Sequence, residues 1–174
     1  PLPMFPLARQ RPVDQATAEA ELAAIARDHD QLFCIFWATA DSDPHGYIEQ
    51  WLAKHTFKTM DRWYGNIRLV VYTVPPKTNI HMEHEIDTIF GESIRLVGYT
   101  LLTPSPRSGE ILQLVLYWQA LEPIATRYKV FVQVLDAKNH IVGQHDAEPA
   151  GETRPTTTWQ PGEIITDNHG ILIM

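Results

Sequence analysis

The spacing of apolar residues predicts alternating helices and strands in the first part of the chain. Ala18, Leu22 and Ile25 recur at helical spacing, so we expect a helix over residues 14–28 with Asp14 as its N-cap. The apolar run at 32–37 has the length of a strand. Because this run does not alternate with polar residues, it predicts a strand that is covered on both faces, as in a parallel sheet.

A second helix and a second strand follow. Asp43 and Pro44 form a helix start signal, after which the apolar residues 47, 48, 51 and 52 fall on one helical face. Residues 61–66 then predict a turn, and the run at 67–74 predicts a strand. The order helix, strand, helix, strand indicates a small α/β layer of Rossmann-like type over residues 14–76, after an extended, proline-rich lead-in at 1–13.

Beyond residue 76 the helical periodicity disappears, and short apolar runs alternate with turn residues. We predict strands at 81–89, 94–102, 111–121, 127–136, 140–145 and 163–173. Leu112, Leu114, Leu116 and Trp118 share one face of their strand, which should therefore point to the core. The pattern is typical of an antiparallel β-sandwich over residues 77–174, of jelly-roll or immunoglobulin-like type, and makes the fold class α+β.

Composition excludes some classes of function. The chain has 174 residues, 44% of them hydrophobic, which is enough for a sizeable core without disulfides. A net charge of −7 without a cluster of Lys and Arg argues against nucleic acid as a partner. The longest apolar run is far shorter than the roughly 20 residues of a membrane helix. Since the chain does not begin with methionine, we expect it to be a segment of a longer protein.

Ten stretches spread over most of the chain carry a family resemblance. They are 32–37, 43–44, 49–52, 63–72, 94–99, 114–120, 130–136, 144–146, 155–163 and Asp167. Together they resemble the C-terminal extracytoplasmic region of bacterial membrane glycosyltransferases of family 39, the dolichyl-phosphate-mannose–protein mannosyltransferase type with a GT-C membrane part.

The resemblance implies a parent protein that spans the membrane repeatedly and transfers a sugar from a polyprenyl-phosphate donor. It places this chain at the extracytoplasmic face of the bacterial cell membrane, with the membrane-embedded part of the parent and a glycan or glycosylated acceptor as partners. The catalytic acidic residues of that family lie in loops outside this chain, so we expect no catalytic residue, metal or cofactor here. The alternative is a free-standing carbohydrate-binding β-sandwich module.

Aromatic residues in loops are the candidates for sugar contact, because exposed aromatic faces stack on pyranose rings. Trp63 and Tyr64 fall in the predicted turn, and Trp159 falls in a loop rich in Pro and Gly. Polar side chains that could bind sugar hydroxyls around Trp159 are Glu152, Arg154, Gln160 and Glu163. The competing interpretation is that Trp159 closes the end of the sandwich as a buried plug. The tryptophans at 37, 51 and 118 lie on apolar faces and are expected in the core.

Two groups of potential metal ligands have simpler explanations. His81 and His84 lie in strand-like sequence, where side chains three residues apart point to opposite faces. Asp41 and Asp43 lack the glycine and the distal glutamate of a calcium loop, and helix capping explains Asp43.

No nucleophilic site can be assembled from the sequence. Cys34 lies in the most apolar segment, where a thiol stays neutral and inert. His145 and Asp146 could form half of a relay, but no Gly-x-Ser-x-Gly elbow accompanies them, and we expect them on a hairpin surface.

Overall fold

The computed structural model describes residues 3–7, 9–76 and 80–174, and within these residues the chain is mostly antiparallel β-sheet. The helices are α1 (Gln15–Asp28), α2 (Thr39–Ser42) and α3 (Tyr47–His55). The strands are β1 (Gln31–Phe36), β2 (Phe57–Tyr64), β3 (Ile67–Thr73), β4 (His84–Phe90), β5 (Ile94–Leu101), β6 (Ile111–Ala120), β7 (Val130–Leu135), β8 (Ile141–Ala147) and β9 (Ile164–Leu172). They form three sheets, in the orders β1-β3-β2, β4-β5-β6-β9 and β7-β8.

The first predicted helix is confirmed, together with its cap. The Thr17 backbone N–H donates to the Asp14 carboxylate at 2.9 Å, which satisfies one of the free donors at the start of α1. Ala18 and Leu22 are buried and pack on the sheet through Leu32 and Val70. The local signals of periodicity and capping therefore place α1 on one face of the β1-β3-β2 sheet.

The Rossmann-like, parallel arrangement expected for β1 is not what the structure has. β1 pairs antiparallel with β3, and β2 pairs antiparallel with the other edge of β3. The helices α1 and α3 cover only one face, so Phe33 is 58% exposed and Ile35 is 72% exposed on the other. The expectation that β1 is covered on both faces is wrong. An apolar run shows only that both faces of a strand carry apolar side chains, and it does not show that other elements pack on both.

The turn predicted over residues 61–66 is shorter than expected. β2 continues to Tyr64, which pairs with Ile67, so the hairpin turns on Gly65 and Asn66 alone. Gly65 has a φ of 64°, and the two-residue turns that fit twisted hairpins need a positive φ, which glycine adopts without strain. The consequence is that Trp63 and Tyr64 lie on a strand end rather than in a flexible loop.

Each of the six stretches predicted as strands in the second half overlaps a strand, although β4 and β8 extend beyond the predicted ends. β6 lies in the middle of its sheet between β5 and β9, and its residues Leu116 and Trp118 are 8% and 7% exposed, as their shared face predicted. The two-stranded β7-β8 sheet packs on this face through Val132 and Val134. Apolar residues of β7 therefore contact the β4-β5-β6-β9 sheet in two clusters.

The two halves touch through the end of α3, the start of β2 and strand β9. The Asn168 side-chain amide donates to the carbonyl oxygens of Ala53 at 3.2 Å and Thr56 at 3.1 Å. Phe57 is fully buried in one cluster with Val115 and Tyr117 of β6. The domain boundary predicted after residue 76 is followed directly by residues 77–79, which lie outside the described residues. No helix among the described residues is long and apolar enough to cross a membrane.

Candidate functional site

The residues predicted around Trp159 come together, but the indole is in the core. Trp159 is 3% exposed, and its Nε1–H donates to the Arg154 carbonyl at 3.0 Å. The Arg154 guanidinium pairs with Glu163 at 2.7 Å, and the Gln160 backbone N–H donates to the same carboxylate at 3.1 Å. The ring therefore has no free face for a sugar in this conformation, and its polar neighbours already bind one another.

Trp63 and Tyr64 are in the opposite situation, because they are 66% and 58% exposed. The antiparallel register places Trp63 of β2, Arg68 of β3 and Phe36 of β1 in one row across the sheet. The Arg68 guanidinium carbon lies 5.9 Å from the centre of the Trp63 ring and 5.8 Å from the centre of the Phe36 ring. These distances are within the roughly 6 Å range of cation–π contacts, so the guanidinium contacts both aromatic rings.

Helix α3 brings an acidic side chain to the same row. The Glu49 carboxylate lies 2.9 Å from Arg68 Nη2, and Asp61 of β2 accepts from Arg68 Nε–H at 2.8 Å. The hydrogen bonds to Asp61, followed by those to Glu49, raise the pKa of Arg68. Although burial raises the pKa of Asp61, hydrogen bonding and charge from Arg68 and Lys58 lower it below its ordinary value. The pair formed by Arg68 and Asp61 therefore stays ionised at neutral pH.

The start of α3 is capped by a buried carboxylate that also borders the site. Asp43 is 7% exposed and accepts from the backbone N–H groups of Tyr47 at 2.9 Å and Ile48 at 3.0 Å. Asp43 thus binds the first N–H groups of the helix as a capping carboxylate would, but the N-cap position is Gly46 and Pro44 lies outside the helix. Capping fixes the first turn of α3 and with it the position of Glu49.

These elements enclose a cleft of about 160 Å³, which we call the aromatic cleft. It is lined by Phe36, Trp37, Ala38, Thr39, Asp43, Gly46, Glu49, Trp63, Asn66 and Arg68. Trp37, expected in the core, is instead 61% exposed at the rim, because the chain leaves the sheet after β1. Ala38 turns the chain into α2 with a φ of 50°, a left-handed conformation that is uncommon for alanine and that clusters at functional sites.

A nearly buried lysine supports the cleft from behind. Lys58 has 8% of its side chain exposed and lies 3.2 Å from Glu152, 3.4 Å from Asp61 and 3.7 Å from Glu49. Its Nζ also donates to the carbonyl of Gly151 at 3.2 Å. Because a buried cation needs such partners, this network ties the 148–155 loop of the second half to the floor of the aromatic cleft.

A second polar network lies between β8 and β9. The Asp167 carboxylate accepts from His169 Nε2–H at 2.8 Å, from the Trp118 indole at 3.2 Å and from the Ala150 N–H at 2.8 Å. His145 Nδ1 lies 2.9 Å from His169 Nδ1. His145 was predicted on a hairpin surface beside Asp146, but its side chain turns inward toward His169. Burial lowers the pKa of His145 to about 4.

The remaining candidate groups form no reactive site. Burial, and then the charge of Glu49, raises the pKa of the Cys34 thiol to about 12, so the thiol is neutral at physiological pH. His84 stacks on Tyr99, with ring centres 4.6 Å apart. Among the described residues, no group of three or more His, Cys, Asp or Glu side chains is arranged to hold a metal ion.

The sequence pointed to Trp63 but missed its neighbours. Trp37 was assigned to the core from its apolar context, and Glu49, Asn66 and Arg68 gave no local signal. An arginine in an otherwise apolar strand is the one clue that could have identified Arg68, because a half-buried cation needs carboxylates nearby.

No protein-family model matches this chain, and neither a curated protein nor a solved structure is detectably similar to it.

Proposed function

We propose that this chain is a non-catalytic, carbohydrate-contacting domain and that the aromatic cleft holds a single sugar ring. The observation that carries the proposal is the pair of exposed indoles, Trp37 and Trp63, beside Arg68 and the carboxylates that pair with it. Sugar sites combine aromatic faces that stack on the ring with carboxylate, amide and guanidinium groups that bind its hydroxyls. Glu49 and Asn66 are polar groups of these kinds on the lining, and Arg68 holds the Glu49 carboxylate in place.

The size of the cleft limits the ligand. A cleft of about 160 Å³ lies below the roughly 300–1,000 Å³ of pockets for drug-sized molecules. One ring, at the end or on a branch of a glycan, therefore fits better than an extended oligosaccharide. The affinity for a single ring is expected to be weak, because few atoms make contact and affinity per atom is bounded.

The test is a titration of the whole chain with a panel of glycans, in which binding is monitored through the indole N–H resonances in NMR spectra. We expect Trp63→Ala to weaken binding about tenfold, the upper range for one aromatic contact beyond its area burial. Phe131→Ala is the matched control, since Phe131 is an aromatic residue on the exposed face of β7 with 71% exposure. Equal losses in the two variants, or no binding by the wild type, would refute the proposal.

The wider context that we propose is the extracytoplasmic region of a family 39-like membrane glycosyltransferase. Its support is the resemblance of ten sequence stretches, two of which, 49–52 and 63–72, carry Glu49, Trp63 and Arg68. In this setting the cleft would contact the acceptor or its glycan while the membrane part of the parent performs the transfer. The reading frame upstream of Pro1 tests this: about ten or more spans of ~20 apolar residues are expected.

The second candidate is a free-standing carbohydrate-binding module with a β-sandwich. Its support is the packing of Val132 and Val134 from the β7-β8 sheet on the face of the β4-β5-β6-β9 sheet. A start codon or a cleavable signal peptide just before Pro1 would favour this candidate over the membrane transferase. Both candidates predict the same ligand contact at Trp63. The glycan titration therefore tests the sugar site, and the upstream reading frame tests which of the two candidates is correct.

A further inference from the structure

We infer that the aromatic cleft accepts uncharged sugars and discriminates against anionic ones, such as uronates. The inference rests on the proposed sugar site and adds the chemical class of its ligand. Two observations support it: the cations at the cleft are already paired with carboxylates, and the carboxylates around them outnumber the cations.

Arg68 is the only cationic side chain among the described residues that line the cleft. Most of its N–H groups already bind carboxylates of the protein and are not free to bind an anionic ligand. Its Nε–H donates to Asp61 at 2.8 Å, and its Nη1–H donates to Glu49 at 3.0 Å. Its Nη2 lies 2.9 Å from the other oxygen of Glu49 and also donates to Asp61. An arginine that selects a carboxylate presents a free pair of parallel N–H groups, and here both sides of the fork are occupied.

Lys58 behind the cleft is paired in the same way. Its ammonium group lies within 3.7 Å of Glu49, 3.4 Å of Asp61 and 3.2 Å of Glu152. Two cations therefore face three carboxylates in this network, and Asp43 adds a fourth at the cleft wall. An anionic ligand would enter a site with surplus negative charge, which costs free energy at these short distances even in a partly solvated cleft.

An uncharged ring meets no such penalty. The Glu49 carboxylate has lone pairs beyond those that bind Arg68, so it can accept from a sugar hydroxyl. The Asn66 amide on the cleft wall carries both donors and an acceptor, which suits hydroxyl groups that also do both. The apolar face of the ring would lie against the exposed indole of Trp63 or Trp37.

The experiment compares matched pairs of ligands that differ only at carbon 6. The probes are the methyl glycosides of glucose, mannose and galactose and of the corresponding uronic acids, titrated into the whole chain at neutral pH. For the configuration that binds, we expect the neutral glycoside to bind about tenfold more tightly than its uronate, or better. Raising the salt concentration should narrow the difference, since screening weakens repulsion between charges at an exposed site.

A charge-neutralising variant tests the cause. Glu49→Gln removes one carboxylate and releases N–H groups of Arg68. The uronate should therefore gain affinity, and the ratio between the affinities of the neutral glycoside and the uronate should fall severalfold. Glu163→Gln is the matched control, because Glu163 also pairs with an arginine, Arg154, but does not line the cleft. Melting curves establish that both variants are folded at the temperature of the titration.

The outcomes separate the two proposals. If a uronate binds as tightly as its neutral partner in a Trp63-dependent manner, the selectivity is refuted while the sugar site stands. If the preference for the neutral glycoside is unchanged in folded Glu49→Gln, the electrostatic cause that we assign to Glu49 and its pairing with Arg68 is refuted. If none of the probes binds, the sugar site itself is refuted and the selectivity with it.

Discussion

Acid should destabilise this protein through His145 well before most carboxylates are protonated. Asp167 only accepts hydrogen bonds when ionised, so its contact assigns the proton to His169 Nε2 and leaves His169 Nδ1 as an acceptor. His145 must then donate from Nδ1 across the 2.9 Å contact. A second proton on this pair would place a positive charge in a largely buried site. His169 and Lys58 disfavour that charge and Asp167 and Asp146 favour it, but the loss of hydration on burial has the largest effect.

The size of the effect follows from the pKa. Burial, the largest cause, lowers the pKa of His145 from 6.5 to about 4, so the unfolded chain binds the proton more readily. Stability is complete above the unfolded value of 6.5, falls as the pH drops below it, and levels off near 4. At about 1.4 kcal/mol per pH unit, the loss from this residue is about 2 kcal/mol between pH 7 and pH 5 and about 3 kcal/mol over the whole window.

The assay is urea unfolding at several pH values between 7 and 4.5 for the wild type and for His145→Asn. Asparagine places an amide N–H where Nδ1–H was, but it does not titrate. The variant is expected to be less stable at pH 7 and to lose about 2 kcal/mol less than the wild type on going to pH 5. His140→Gln is the control, since His140 is an exposed histidine beside the same hairpin, with 72% of its side chain exposed. Parallel pH profiles for the wild type and His145→Asn would refute the reasoning.

Three further substitutions test the packing by melting temperature and urea unfolding. Trp159→Ala should cost about 3–5 kcal/mol because it empties the core position of a 3% exposed indole, and a loss below about 1 kcal/mol would contradict its role as a plug. Asn168→Ala should cost about 2 kcal/mol, since its amide serves backbone carbonyls at the end of α3, and an unchanged melting temperature would argue against that contact. Tyr72→Phe should stabilise by about 1 kcal/mol, because the Tyr72 hydroxyl is buried without a hydrogen-bond partner among the described residues, and a marked loss would show that it has one.

Elements whose signals are local could be predicted from the sequence. Asp14 caps α1 as expected, because capping involves residues only three positions apart. The face of β6 that carries Leu116 and Trp118 is buried as expected, because alternation along one strand fixes which side chains share a face. The number and positions of the strands in the second half follow from the same kind of evidence.

Features that depend on pairing between distant segments could not be predicted. The aromatic cleft exists because three strands align Phe36, Arg68 and Trp63, and no spacing within one segment encodes that register. The exposure of Trp37 was missed for a related reason, since an apolar neighbourhood does not reveal where the sheet stops being covered. His145 and His169 lie on separate strands, and only the packing of two sheets brings their rings together.

The contacts of Asn168 and Phe57 across the middle of the molecule bear on how the protein can be divided. Separating the chain after residue 76 would leave the fully buried Phe57 on one piece and its partners Val115 and Tyr117 on the other. It would also split the ion pairs of Lys58 with Glu152, leaving a nearly buried charge without one of its anions. Each piece would carry a newly exposed apolar and charged surface of the kind that promotes aggregation. The two halves are therefore expected to unfold in one transition. They are also expected to be inherited, expressed and engineered as a single unit.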